Sequence, residues 1–219
     1  MQAYAWSGMA EPEWTLTVRR EDAPQRGAAA GESAESGLDL AALGEADLVR
    51  ACLDGRRGAF DLIVERHRRS VYQLCYRFVS SHEDASDLSQ DVFLRAYRGL
   101  KGFKGRSTLG TWLYRIGVNV CLNRVSVRAP ATEPLDARPH QAPGADPAGE
   151  LLRTERAARV RAAIARLPRK QRATLILRTY QELSHQEIAE VLGSSVGAVK
   201  ANFFHALGNL KKLLEGESL

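Results

Sequence analysis

The sequence predicts an all-α chain of two small helical domains joined by a Pro-rich linker. Apolar residues recur at helical spacing in two blocks, a proline-rich stretch divides the blocks, and no segment alternates as a strand would. Of 219 residues, 44% are hydrophobic and 26% charged, a globular composition. That length suits one ordinary domain or two small ones, and is too short for a large multidomain enzyme.

Residues 1–44 are rich in Ala, Gly and Glu and hold no sustained period, so they are expected to form a mostly disordered extension. Trp6 and Trp14 are unusual there. They mark either a segment that orders on a partner or residues ahead of a start at Met9 or later.

From Glu45 the helical period takes over, and Phe60, Ile63, Val64, His67, Val71, Leu74, Cys75 and Phe78 share one face of a long helix. Ser81 offers an N-cap, with Asp84 three residues on, for a helix whose stripe is Ala85, Leu88, Val92 and Ala96. After the glycine-rich stretch 102–105, Ser107 is expected to cap a third helix with Leu109, Leu113, Ile116 and Val120 facing inward. Residues 45–128 therefore read as one helical bundle. Residues 129–150 carry five of the eight prolines and lose the apolar period, which marks a linker. In polyproline geometry it reaches roughly 70 Å, at about 3.1 Å per residue.

Helices resume near Leu151 and run to about Leu214, with breaks at Leu167-Pro168, around Tyr180 and at Gly193. Residues 151–216 form the second domain. Ser184-His185-Gln186-Glu187 has the S-x-x-E form of a capping box, and Ile188, Ala189, Val191 and Leu192 pack the short helix that follows. Gly193 supplies the turn, and Ser194 or Ser195 caps a second helix. This is a helix-turn-helix, whose second helix enters the DNA major groove. Val199, Phe203, Ala206, Leu207 and Leu210 are expected inside; Val196, Gly197, Lys200, Ala201 and Phe204 lie toward the other side. A phenylalanine beside a lysine suits contact with a thymine methyl and a phosphate or base edge. Packing of Phe204 on another helix is the alternative.

Charge follows the same division. Residues 45–128 and 151–219 each carry a net +6, residues 1–44 a net −4, and residues 129–150 a net −3. Two basic modules on an acidic connector suit two contacts on one polyanion, although two solvated arginine-biased surfaces would give the same totals.

Two stripes in the first module carry chemistry. Trp112, Arg115, Asn119 and Asn123 recur along one side of a helix, supplying a stacking surface and hydrogen-bonding groups of the kind that unstacked bases need. The preceding loop, Phe103-Lys104-Gly105-Arg106-Ser107, adds an aromatic among cations. Asp84, Asp87 and Asp91 form an acidic stripe that would repel DNA, so a protein partner is the economical reading and a solvated helix face the plainer one.

Over residues 45 to about 214 the arrangement resembles the extracytoplasmic-function sigma factors, group 4 of the sigma-70 family. The run Asp84-Ala85-Ser86-Asp87-Leu88-Ser89-Gln90-Asp91-Val92-Phe93 is similar to their polymerase-binding helix, and Thr111-Trp112-Leu113-Tyr114-Arg115-Ile116-Gly117-Val118-Asn119 to their promoter-melting helix. The segment from Leu183 to Lys200 resembles their −35-reading helix-turn-helix. The resemblance implies that Asp84, Asp87, Leu88, Gln90, Asp91 and Phe93 dock on the clamp helices of the largest subunit of core RNA polymerase. It implies that Phe103, Trp112, Arg115 and Asn119 melt and capture the −10 element, and that Lys200, Ala201, Phe204 and His205 face the −35 element. An anti-sigma factor is implied as a further partner. Asn202 and His205 stand where the family often has Arg, and Trp112-Leu113 stands where housekeeping members pair two aromatics, which implies a different −35 preference and weaker intrinsic melting.

Other function classes lack their signatures. No nucleophile–base pair, metal-ligand cluster or phosphate-cradling glycine loop stands out, so neither catalysis nor a cofactor is expected. Cys52, Cys75 and Cys121 form no C-x-x-C pair and predict a reducing, cytoplasmic setting. No apolar run is long enough for membrane insertion. A stand-alone helix-turn-helix regulator is the main rival, and it leaves the acidic stripe and the Trp112 stripe unexplained.

Overall fold

The computed structural model describes residues 40–127 and 147–216, and among these every regular element is helical. The first module comprises α1 (Glu45–Leu53), α2 (Ala59–Val79), α3 (His82–Gly99) and α4 (Leu109–Val127). The second comprises α5 (Pro147–Arg166), α6 (Arg169–Tyr180), α7 (His185–Leu192) and α8 (Val196–Glu215). The expected extension up to residue 39 and most of the expected linker lie outside the described residues.

Helices α2, α3 and α4 pack against one another, and α1 closes on α2. Their shared core is built from the stripes read in the sequence: Ile63, Val64, Val71, Leu74, Cys75 and Phe78 of α2, with Ala85, Leu88, Val92 and Ala96 of α3, are all buried. Gly117 sets the spacing between α2 and α4. A Cβ there would fall 2.9 Å from Leu74 Cδ2, so any larger residue would have to displace that buried leucine. Cys75 and Cys121 meet in the same core, each 0% exposed, and the hydrogen bond with Cys121, together with burial, pushes the Cys75 thiol far up. A thiol held neutral and dry is a packing residue.

Helix ends follow local chemistry. The Ser81 side chain accepts a hydrogen bond from the Asp84 amide at 3.3 Å, as its position before α3 predicts. The cap of α4 is Thr108 rather than Ser107: its hydroxyl accepts from the Thr111 amide at 3.1 Å and pairs with the Thr111 hydroxyl at 2.8 Å. Helix α5 starts at Pro147, inside the expected linker, because proline's fixed φ and missing N–H suit a first helical position. Regular structure likewise lies ahead of the expected domain boundary at residue 45. A short 3-10 turn, Leu40–Ala42, is held by Arg66, which donates to the carbonyls of Ala41 at 2.6 Å and Leu43 at 2.8 Å.

In the second module α6, α7 and α8 form the main packing, with α5 against α8. Ile188, Ala189, Val191, Val199 and Ala206 are buried at its centre. Leu207, expected inside, is 47% exposed, because α8 runs past the short α7 and no described helix covers that side. The two modules touch. Helix α7 lies on α4, and α6 packs on α2.

Candidate nucleic-acid interface

The helix-turn-helix is fixed by its caps. Ser184 Oγ accepts from the Glu187 amide at 3.2 Å while Glu187 Oε2 accepts from the Ser184 amide at 2.8 Å, a complete capping box. These bonds hold the Glu187 carboxyl below its ordinary range. Gly193 ends α7 in the left-handed region, at φ 58°, and Ser195, not Ser194, caps α8 through the Ala198 amide at 3.2 Å. Arg178 of α6 braces the approach to α7 by donating to the Leu183 carbonyl at 2.8 Å.

Register along α8 then sorts its side chains. Val199 and Ala206 face inward at 0% exposure, and Phe203 is half-buried with its ring edge-on to His185. Lys200, Ala201, Phe204 and His205 are all exposed. Phe204 is 75% exposed, so it is not packed on another described helix. Its only ring neighbour among the described residues is His205, at 5.8 Å between centroids and 73° between planes.

The second stripe lies on α4. Arg115, Asn119 and Asn123 are exposed and Trp112 is half-buried. The structure brings Phe103 to Trp112: their ring centroids are 5.3 Å apart at 52°. The loop aromatic and the helix aromatic therefore form one platform, with Arg115 and Asn119 further along the same helix. Sequence spacing did not pair them, because it carries no information on how the loop folds back.

The acidic helix α3 splits in two. Asp87 and Gln90 are exposed, and the Asp91 carboxylate is 41% exposed and paired with Arg95 at 2.9 Å. Asp84, Leu88 and Phe93, expected on the docking face, point inward. Phe93 is 0% and Leu88 9% exposed, as apolar positions on the core side of the helix. Asp84 is 8% exposed, and its carboxylate receives the Arg124 guanidinium of α4 at 2.8 Å. Position on the inner edge of the helix, not charge, decides its role.

Sequence reasoning missed two further clusters. His67 of α2 stands 3.0 Å from the Glu45 carboxylate of α1, and burial lowers its pKa more than that neighbour raises it. At the α2–α3 junction the Tyr72 hydroxyl and His82 Nδ1 are 2.6 Å apart, with Tyr76 stacked on the His82 ring at 4.5 Å. Burial and the neighbouring Arg161 of α5 lower the His82 pKa. Among the described residues no group of three or more His, Cys, Asp or Glu is placed to hold a metal ion, and no helix is long and apolar enough to cross a membrane.

Two family models match the chain: sigma-70 region 2 over residues 63–129 and sigma-70 region 4 over residues 157–210. The RNA polymerase sigma-H factor of Pseudomonas aeruginosa is 33% identical over 178 residues, covering 77% of this chain and 92% of that protein. The ECF RNA polymerase sigma factor SigM of Mycobacterium tuberculosis is 36% identical, covering 78% and 84%. The ECF sigma-E factor of Escherichia coli is 34% identical, covering 73% and 88%. Among solved structures, CnrH in complex with the cytosolic domain of CnrY aligns with a TM-score of 0.59 at 26% identity, covering 78% of this chain and 97% of that one. The sigma factor RpoE of Bartonella quintana, solved with the anti-sigma factor NepR, shares the fold with a TM-score of 0.57 at 22% identity, covering 72% and 98%.

Proposed function

Because this chain belongs to the extracytoplasmic-function group of the sigma-70 family, it directs RNA polymerase in transcription initiation and is not itself an enzyme; we propose that its two modules divide the promoter between them. In this reading α8 enters the major groove of the −35 element with Lys200, Ala201, Phe204 and His205. The Phe103–Trp112 platform, with Arg115 and Asn119, takes unstacked bases of the −10 element. Asp87, Gln90 and Asp91 dock on the clamp helices of the polymerase's largest subunit. The work takes place in the cytoplasm.

One observation carries this reading. Phe204 is 75% exposed beside Lys200 on the capped second helix of a helix-turn-helix, where folding gains nothing from an aromatic ring. A groove edge with thymine methyls and phosphates supplies what the ring and the ammonium lack. Solved neighbours held with partner proteins, one named an anti-sigma factor, support regulation of this chain by an anti-sigma factor as well.

Run-off transcription with core polymerase on a promoter library tests the division. Lys200→Ala should shift or weaken preference at −35 only, and Asn119→Ala at −10 only. A template already unpaired at −10 should rescue Phe103→Ala more than Lys200→Ala, because the protein no longer has to drive unstacking. Interchanged preferences would overturn the assignment of the two surfaces.

A further inference from the structure

The Phe103–Trp112 platform is supported from the side of α2. His67 of α2 has a side chain only 13% exposed and lies between two other helices. On one side its Nε2, closed to solvent, stands 3.0 Å from Glu45 Oε1 of α1 without the alignment of a hydrogen bond. On the other it meets the first turn of α4, where a Cβ on Gly110 would stand 3.7 Å from the ring's Cε1 and 3.9 Å from its Nδ1. Glycine thus lets the imidazole lie directly against the backbone. Trp112 follows two residues later, about 200° round the helix, so it leaves α4 on the side away from His67. There it is held as closely, with Phe103 at 5.3 Å between centroids and the Gly99 backbone so near that a Cβ would stand 3.7 Å from its Cζ2. One turn further along α2, Ser70 Oγ donates to the His67 carbonyl at 2.9 Å and is itself partnered by the Tyr114 hydroxyl of α4.

We propose that His67 is a positioning residue for promoter opening: its neutral ring props the first turn of α4 and so aims Trp112 at Phe103, and a proton on the ring withdraws that support, an inference that rests on the −10 reading of the platform. The first amides of a helix have no partner within it and form the positive end of its dipole, so a cation against Gly110 is repelled. The first turn of α4 carries no acidic residue to offset this. Glu45, on the far side of the ring, draws the same cation away from α4. Both forces act in one direction. Among the described residues, the other charged or titratable groups about the ring are Arg66, next to it on α2, and Tyr114 of α4, whose hydroxyl burial holds above its ordinary range and therefore uncharged. Burial first, and Arg66 after it, oppose the proton, so the ring stays neutral until the pH falls below about 6.5.

Fluorescence of the full chain tests the coupling directly. Trp6, Trp14 and Trp112 are the chain's three tryptophans, so Trp6→Phe with Trp14→Phe leaves Trp112 as the one indole emitter. As pH is lowered from about 8 to about 5.5, acrylamide quenching of Trp112 should rise, with the change falling below about pH 6.5 while far-UV circular dichroism holds. His67→Gln keeps a side-chain amide facing Glu45 but cannot take the proton, so it should abolish that rise. No rise in the parent, or the same rise in His67→Gln, overturns the coupling. Transcription with core polymerase at about pH 8 then tests the role in opening. His67→Ala should lose about tenfold on a duplex template, as a platform tolerant of only about 0.5 Å requires, and far less on one already unpaired at −10. His67→Gln should stay close to the parent, and both variants should keep core-polymerase binding, which uses α3 of the same module. An equal loss on both templates, or polymerase binding lost in step with transcription, reduces His67 to a support of the fold and overturns its positioning role. Should His67→Ala not fold, the Trp112 titration with His67→Gln decides alone. If Asn119→Ala leaves −10 preference untouched, the promoter reading fails instead, while the titration still decides whether His67 sets Trp112.

Discussion

Replacing Phe204 with alanine should weaken promoter use through the −35 element without touching the fold. The ring is 75% exposed, so its removal leaves no cavity, and the folded chain should change by no more than about 0.5 kcal/mol. A phenylalanine offers about 200 Å² of apolar surface, of which three quarters is open here. If a groove covers about half of that open area, at about 25 cal/mol per Å² the loss comes to about 2 kcal/mol, or about thirtyfold in affinity. The assay compares Phe204→Ala with the parent by run-off transcription on two duplex templates, one with a matched −35 element and one with that element scrambled. The variant should fall about thirtyfold on the first and hardly at all below the parent on the second. Equal activity on the matched template, or an equal loss on both, would refute a −35 role for the ring. A lowered thermal midpoint would show instead that Phe204 supports the fold.

The two halves of the acidic helix should separate in the same way. Asp87→Arg with Asp91→Arg, on the exposed side, should abolish co-purification with core polymerase while melting stays near normal; retained binding would remove that face from the docking surface. Asp84→Asn should do the opposite, costing about 1 to 3 kcal/mol in urea unfolding through its lost ion pair with Arg124 while polymerase binding persists in the folded fraction. Gly117→Val should cost about 1 to 3 kcal/mol, because even its Cβ would fall 2.9 Å from the fully buried Leu74; unaltered stability would show that α4 has room to move off α2. Burial lowers the pKa of both His67 and His82, so the unfolded chain takes up protons before the folded one as pH falls. Their stabilising effect is complete above about pH 6.5 and declines below it, and thermal melts from pH 8 to 5.5 should show a shallower acid loss in a His67→Gln, His82→Gln variant. Parallel curves would contradict this.

What the sequence made legible was whatever a helix decides within its own few turns. The capping box at Ser184 and Glu187, the cap at Ser81 and the left-handed Gly193 are contacts between residues no more than a few positions apart, and each is formed. Periodicity also found the core faces of α2 and α3, because one buried stripe per helix is enough to reveal a period. What the sequence misread or left unseen shares a different cause. Asp84 lies at the border between a buried and an exposed face, and Arg124, 40 residues on, pairs with its carboxylate. Leu207 has the right spacing to be core, but α7 is too short to cover it. Phe103 and Trp112 meet through a loop whose path no period describes. Arg172 is the extreme case: it is one of twelve Lys and Arg residues in the second module, and nothing in its local sequence separates it from its solvated neighbours. What distinguishes it is a carbonyl at the end of a helix in the other module. Local pattern therefore specified the exposed faces of α4 and α8 almost completely. The contacts between the modules are long-range, so their residues had to be found in three dimensions.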